Sequence, residues 1–191
     1  MKTCERRPWR LFRVAVLLLL SSLTALFVAS CGGGGGGGGG GPTAPPPPAK
    51  GFVFTPGAGT TGITLTQGAA TTTTTFILEV RANSVNDLYG VAFNLSYPNS
   101  VLRFTSATAG TFLTGASMQV VESPNGTVVV GLTKLGTAAG ASGSGVLLTL
   151  QFEATATGQG AFSFSRNTAI NSSAATLSDL SWSAGTISVT F

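Results

Sequence analysis

Histidine is missing from this chain of 191 residues, cysteine occurs twice, and charged side chains make up only 8%. Without an imidazole there is no Ser-His-Asp or Cys-His catalysis and no Cys/His zinc site. Both cysteines, Cys4 and Cys31, precede a run of ten glycines, Gly32 to Gly41. Everything beyond that run therefore folds without a disulfide or a thiolate nucleophile. Carboxylates are scattered singly, with no dense Asp/Asn loop of the kind calcium needs, and a glycosidase, the third option, would require the fold to bring two of the five acids beyond the glycine run within about 5–10 Å of each other in a cleft. No cofactor and no metal are expected, and the chain reads as non-enzymatic.

What is present begins with a strongly patterned N-terminus. Lys2, Arg6, Arg7, Arg10 and Arg13 precede an apolar run from Val14 to Leu20, and Val28-Ala29-Ser30 then lead to Cys31. This is the layout of a secretory signal. Small residues ending in a cysteine resemble the lipobox of bacterial lipoproteins. That resemblance implies cleavage after Ser30, a diacylglycerol on the Cys31 thiol, and acylation of the new amine. A membrane-spanning helix is the poorer reading, because the stretch from Val14 to Ser30 is short and diluted by Ser21, Ser22, Thr24 and Ser30, while a span needs about 20 mainly apolar residues.

Removal of residues 1–30 changes the charge balance. The remainder carries Lys50, Arg81, Arg103, Lys134 and Arg166 against Glu79, Asp87, Glu122, Glu153 and Asp179, a net charge of zero. The basic character of the full chain belongs to its leader, so no nucleic-acid partner is expected. Residues 31–50 read as a lipidated cysteine followed by a Gly/Pro-rich linker, with Pro45 to Pro48 as a stiff step. Ten glycines reach about 17 Å and four prolines add about 12 Å.

Residues 51–191 change character to Thr, Ser, Gly, Val, Ala and Phe, with period-two patterning and no sustained helical period. Phe76, Leu78 and Val80 alternate with Glu79 and Arg81; Val91, Phe93, Leu95 and Tyr97 alternate with Ala92, Asn94 and Ser96. The same alternation runs through 146–154 and 187–191, which marks half-buried strands. Further strands are expected at 51–55, 62–66, 102–107, 118–123, 127–135 and 160–166. Ser123-Pro124-Asn125-Gly126 is a hairpin signal. The expectation is an all-β domain, a β-sandwich of jelly-roll type with about nine to ten strands. Phe76, Phe93, Phe104, Phe112, Phe152, Phe162, Phe164 and Phe191 are its natural core.

Two stretches resemble the cohesin family. Phe76 to Asn83 followed by Leu88-Tyr89-Gly90-Val91-Ala92-Phe93-Asn94-Leu95-Ser96-Tyr97-Pro98-Asn99 and Leu102-Arg103-Phe104 is similar to the opening of a cohesin domain. Gly143 to Ala154 is similar to that family's Gly-x-Gly strand, with Gly158 at its following turn. The resemblance implies a non-catalytic sandwich that binds dockerin modules of polysaccharide-degrading enzymes. Tyr97-Pro98-Asn99 stands where the family has Tyr-Asp-Pro, and Ala92 stands where type I members often carry an acidic dockerin contact. The candidate binding face is accordingly Asn94 and Ser96 beside Glu79 and Arg81. Tyr97 falls on an apolar strand face, which leaves Tyr89 and Trp182 as a thin platform for stacking on sugars.

The expected partners are a membrane, through the lipid anchor, and a dockerin-bearing protein or a polysaccharide. The expected location is the cell envelope, and the outer membrane or cell surface if the cell is Gram-negative, since Gly32 stands where an Asp is associated with inner-membrane retention. The alternative is a structural or adhesive envelope lipoprotein that pairs with another protein through its sandwich edge.

Overall fold

The computed structural model describes residues 51–190, which lie within one compact unit and contain no helix. The leader, Cys31, the Gly/Pro linker, Lys50 and Phe191 lie outside the described residues.

Eleven strands run in chain order: β1 (Gly51–Pro56), β2 (Gly62–Gln67), β3 (Thr75–Ser96), β4 (Leu102–Ala109), β5 (Ser117–Ser123), β6 (Thr127–Thr133), β7 (Ala141–Ala154), β8 (Gly158–Ala161), β9 (Ser163–Asn171), β10 (Trp182–Ser183) and β11 (Gly185–Thr190). They build a β-sandwich whose two layers share one strand. The first half of β3 pairs with β2 and β7, and β7 in turn with β4. The second half of β3 pairs with β6 on one side and β9 on the other, and β6 pairs with β5. A second, separate sheet of three strands in the order β1-β11-β8 adds Ile187 and Val189 to the same core.

The two alternating segments 76–81 and 91–97 are thus one strand rather than two. Between them, Ser84 and Asp87 adopt positive φ angles of 52° and 49°, and the pairing with β7 slips twice. The backbone N–H groups freed by these slips are satisfied by side chains. Ser84 N donates to Ser144 Oγ at 2.9 Å, and Asp87 N to Ser142 Oγ at 3.0 Å. Asp87 also accepts from Ser172 Oγ at 2.8 Å, which ties β3 to the end of β9. These polar bonds hold the bend that carries β3 from one layer to the other.

The expected single strand at 160–166 is two strands in different sheets. β8 pairs with β11, β9 pairs with β3, and Phe162 sits between them with its side chain buried and its N–H donated to Gly185 O at 2.9 Å. The hairpin at 123–126 forms as expected. Gly126 N donates to Ser123 O at 3.2 Å, and Gly126 takes φ 77°, the left-handed position that ends a three-residue loop.

Phe76, Phe93, Phe152 and Phe162 are buried, with Tyr97 against Phe152 at 5.1 Å between ring centroids. Phe104, Phe112 and Phe164 are only half-buried at the core margin, because each sits near a strand end or on a sheet edge. Phe52 and Phe54, absent from the sequence-based core, lean on Phe76 at 5.4 and 5.8 Å. Trp182 packs between Phe93 (5.6 Å) and Phe164 (5.2 Å), joining the two layers across the interior.

Candidate functional site

Each half of β3 sends Phe, Leu and Val side chains into one continuous core, so the alternate residues of the two halves emerge on opposite outer surfaces of the sandwich. Glu79 and Arg81 emerge on one, Asn94 and Ser96 on the other. The strands that flank Glu79 are β2 and β7, whereas those that flank Asn94 are β6 and β9. The four candidate residues therefore do not form a single face.

On the first surface, Arg81 Nη1 donates to Glu79 Oε2 at 2.8 Å, with both side chains about a quarter to a third exposed. Arg103 and Glu153, opposite each other on β4 and β7, form a second ion pair. Two mutually neutralised pairs on an exposed sheet contribute little to stability and offer no unmatched charge to a partner.

The second surface has a different chemistry. The registers of β9, β3, β6 and β5 place sixteen outward residues in four cross-strand rows. The first row is Ser163, Ser96, Thr127 and Ser123; the second is Ser165, Asn94, Val129 and Val121. The third is Thr168, Ala92, Gly131 and Gln119, and the fourth Ile170, Gly90, Thr133 and Ser117. None is charged and none is aromatic. Val121 and Val129 stand directly opposite each other, 62% and 41% exposed. These are two of the four large exposed apolar side chains among the described residues, and Leu135, a third, lies just beyond the end of β6.

The small residues of the last two rows open a shallow depression of about 320 Å³, lined chiefly by Gly90, Ala92, Gly131, Thr133, Thr168 and Ile170. Its two glycines have different roles. A Cβ on Gly90 would stand 2.8 Å from Thr133 Oγ1, so glycine is required there for packing. A Cβ on Gly131 would meet nothing within 4 Å, so its absence leaves open space at the floor of the depression.

The edges of this surface are held from beneath. Tyr97, at the end of β3, donates its hydroxyl to the Glu122 carboxylate on edge strand β5. Burial, reinforced by that bond, pushes the Tyr97 hydroxyl pKa up to about 12. At the opposite end, Tyr89 donates to Gly136 O at 2.7 Å and ties the β6–β7 loop to β3. Both tyrosine hydroxyls are engaged within the fold, the Trp182 ring is partly buried against Phe93 and Phe164, and none of the three stands among the sixteen outward positions.

No group of three or more His, Cys, Asp or Glu side chains capable of holding a metal occurs among the described residues. Each carboxylate of the strands is bonded to a neighbour: Glu79 to Arg81, Glu153 to Arg103, Glu122 to Tyr97 and Asp87 to Ser172.

Sequence reasoning reached Asn94 and Ser96 through the alternation of their strand. It missed the hydroxyl- and valine-bearing rows beside them, because adjacency across strands depends on registers that no single segment encodes. The matching alternations of 118–123 and 127–133 around a tight hairpin were the usable signal for the Val121–Val129 pair.

Comparison with known structures gives the same architecture. A type II cohesin in a cohesin–X–dockerin complex from Acetivibrio cellulolyticus aligns with a TM-score of 0.53 at 15% identity, covering 61% of this chain and 90% of that one. A type II cohesin domain from the cellulosome of the same organism aligns with a TM-score of 0.52 at 12% identity, covering 70% and 91%. Type II cohesin A11 of Bacteroides cellulosolvens gives 0.50 at 12% identity, covering 55% and 82%. These likenesses concern the fold. No curated protein matches the chain. The cohesin domain model matches residues 61–189, from just before β2 into the last strand. The chain belongs to the cohesin family, and its folded domain is a non-catalytic binding module.

Proposed function

We propose that this chain is a membrane-anchored recognition module that docks a dockerin-type protein module on the outer surface of the β9-β3-β6-β5 layer. One observation carries the choice of surface: it is uncharged, floored by glycine and crossed by an exposed Val121–Val129 pair, while the opposite surface is closed by two internal ion pairs. Protein interfaces lose charged residues at their centre and keep exposed apolar area there. Asn94 and Ser96 belong to this surface; Glu79 and Arg81 do not take part.

A protein partner is favoured over a crystalline glycan because the sixteen outward positions carry no aromatic ring. Pairing along the β9 edge is disfavoured because β9, an outer strand of this layer, is interrupted by a bulge at Arg166 and Asn167. The role in polysaccharide breakdown rests on the enzymes that dockerins carry in this family.

The anchor rests on the lipobox-like Val28-Ala29-Ser30-Cys31 and the basic, apolar leader ahead of it. Two or more acyl chains on Cys31 suffice for stable membrane attachment, where a single chain does not.

Two experiments test this reading. Recombinant dockerin modules and a polysaccharide panel are passed over the immobilised chain; retention of a dockerin supports it, and retention of neither overturns the recognition function. Cells expressing the chain or its Cys31→Ala variant are labelled with a radioactive fatty acid. Label on the first alone supports the anchor, and equal labelling removes it.

A further inference from the structure

The described residues contain three arginines. Arg81 and Arg103 are each paired with a glutamate on the closed surface of the sandwich. Arg166 has no carboxylate partner, and it stands on β9 at the margin of the uncharged surface. Its position is set by a bulge. Asn94 pairs with Ser165 and Ala92 with Thr168, so Arg166 and Asn167 together oppose the single residue Phe93. The interior place opposite Phe93 goes instead to Phe164 and Trp182, whose rings pack on it, and both bulge residues stay exposed.

The backbone at Arg166 is unfavourable for its residue type. Its φ is 49°, a left-handed conformation that asparagine or glycine adopts far more readily than a long side chain. An asparagine is adjacent at 167, yet the strained place holds the arginine. Strain retained at an exposed, unpaired cation beside a docking surface is where a functional constraint is expected.

We propose that Arg166 determines partner specificity on this surface: it selects a module that sets a carboxylate at the margin of an otherwise apolar, hydroxyl-bearing contact. This rests on the docking surface proposed above and adds the chemistry of its occupant. The partner presents small apolar and hydroxyl side chains over the glycine-floored depression and Val121–Val129, with one Asp or Glu reaching the guanidinium. Modules whose corresponding residue is Lys or Arg are rejected by like-charge contact. Every outward position of the four rows is neutral, and the other cation near this layer, Lys134, lies beyond the end of β6, so the Arg166 pair supplies a distinct share of the salt dependence of association.

The test uses the full chain, its Arg166→Asn, Arg166→Lys and Arg166→Glu variants, and Gly131→Tyr as a block of the depression, each titrated with recombinant dockerin modules at low and high salt. Asparagine suits the left-handed backbone, so Arg166→Asn is expected to keep or raise the thermal midpoint while weakening binding about three- to tenfold and lowering its salt dependence. Arg166→Lys retains most affinity, and Arg166→Glu is rescued by a module whose carboxylate is changed to lysine. If Gly131→Tyr abolishes binding while the Arg166 variants leave affinity and salt dependence unchanged, this inference fails and the docking surface stands. Self-association of Arg166→Asn with unchanged partner affinity likewise overturns it, and assigns Arg166 to guarding the sheet edge. If a module binds and neither Gly131→Tyr nor the Arg166 variants matter, or if no module binds, the docking surface fails and this inference with it.

Discussion

The Tyr97 hydroxyl donates to the Glu122 carboxylate, joining the last turn of the longest strand to the edge strand of the proposed docking layer. The bond lies beneath the surface that carries Val121, on the side of β5 that faces the core. Burial is the larger cause of the raised Tyr97 pKa of about 12, and the hydrogen bond to Glu122 the next. In the unfolded chain the group titrates near 10. The unfolded state therefore loses its proton first as pH rises, and the stabilisation is fully present below about pH 10 and lost as pH rises toward 12. Thermal midpoints measured from pH 8 to 12 are expected to fall more steeply above pH 10 for the native chain than for Tyr97→Phe. Parallel curves would remove the coupling.

The two glycines of the depression are expected to behave oppositely. Gly131→Tyr points into open space on a strand, where an aromatic is favourable, so its thermal midpoint stays level or rises while dockerin binding falls more than tenfold. Gly90→Ala forces a Cβ against Thr133 and costs roughly 1–2 kcal/mol of stability by overpacking. Chemical denaturation alongside a binding titration separates the two effects.

Strand β1 lies ahead of the matched residues 61–189, yet Phe52 and Phe54 cover Phe76, and Phe54 also meets Phe162 at 6.0 Å. A chain beginning at residue 51 is expected to keep full stability. One beginning at residue 61 loses the β1–β11 ladder and the two phenylalanines, and Phe54→Ala alone costs roughly 1.5–3 kcal/mol. Equal denaturation midpoints for the two truncations would show that β1 is dispensable.

Phe152 is fully buried and touches Phe76, Tyr97, Phe104 and Phe162, so it links the layers at the centre of the core. With no disulfide beyond Cys31 to restrain the unfolded chain, Phe152→Ala is expected to cost about 3–5 kcal/mol. A loss of unfolding free energy in urea denaturation of less than half that size would place the core's centre elsewhere.

Much of the sandwich was legible because half-buried strands announce themselves by alternation. Phe76–Leu78–Val80 and Val91–Phe93–Leu95 are such cases. The union of those segments in one strand was not legible, because Asn83, Ser84, Asn86 and Asp87 read locally as a turn. They remain part of the strand, with Ser84 and Asp87 in the left-handed region, because Ser142 and Ser144, some sixty residues away, supply hydroxyls where the ladder slips. The same bend separates Glu79 and Arg81 from Asn94 and Ser96. Residues with identical local patterning reach opposite surfaces, and only tertiary pairing decides which of them can share a partner.

The pairing of β1 with β11 has a mechanical consequence. The chain enters the domain at Gly51, which lies opposite Thr190, so a pull transmitted along the preceding residues meets the six-residue β1–β11 ladder before it reaches any strand of the docking layer. That ladder acts as a fuse. Peeling residues 51–60 releases up to about 35 Å of extra chain, while β2 to β11 and the surface they present stay assembled. Under the proposed anchor, a module pulled by a bulky partner would lengthen first and let go later.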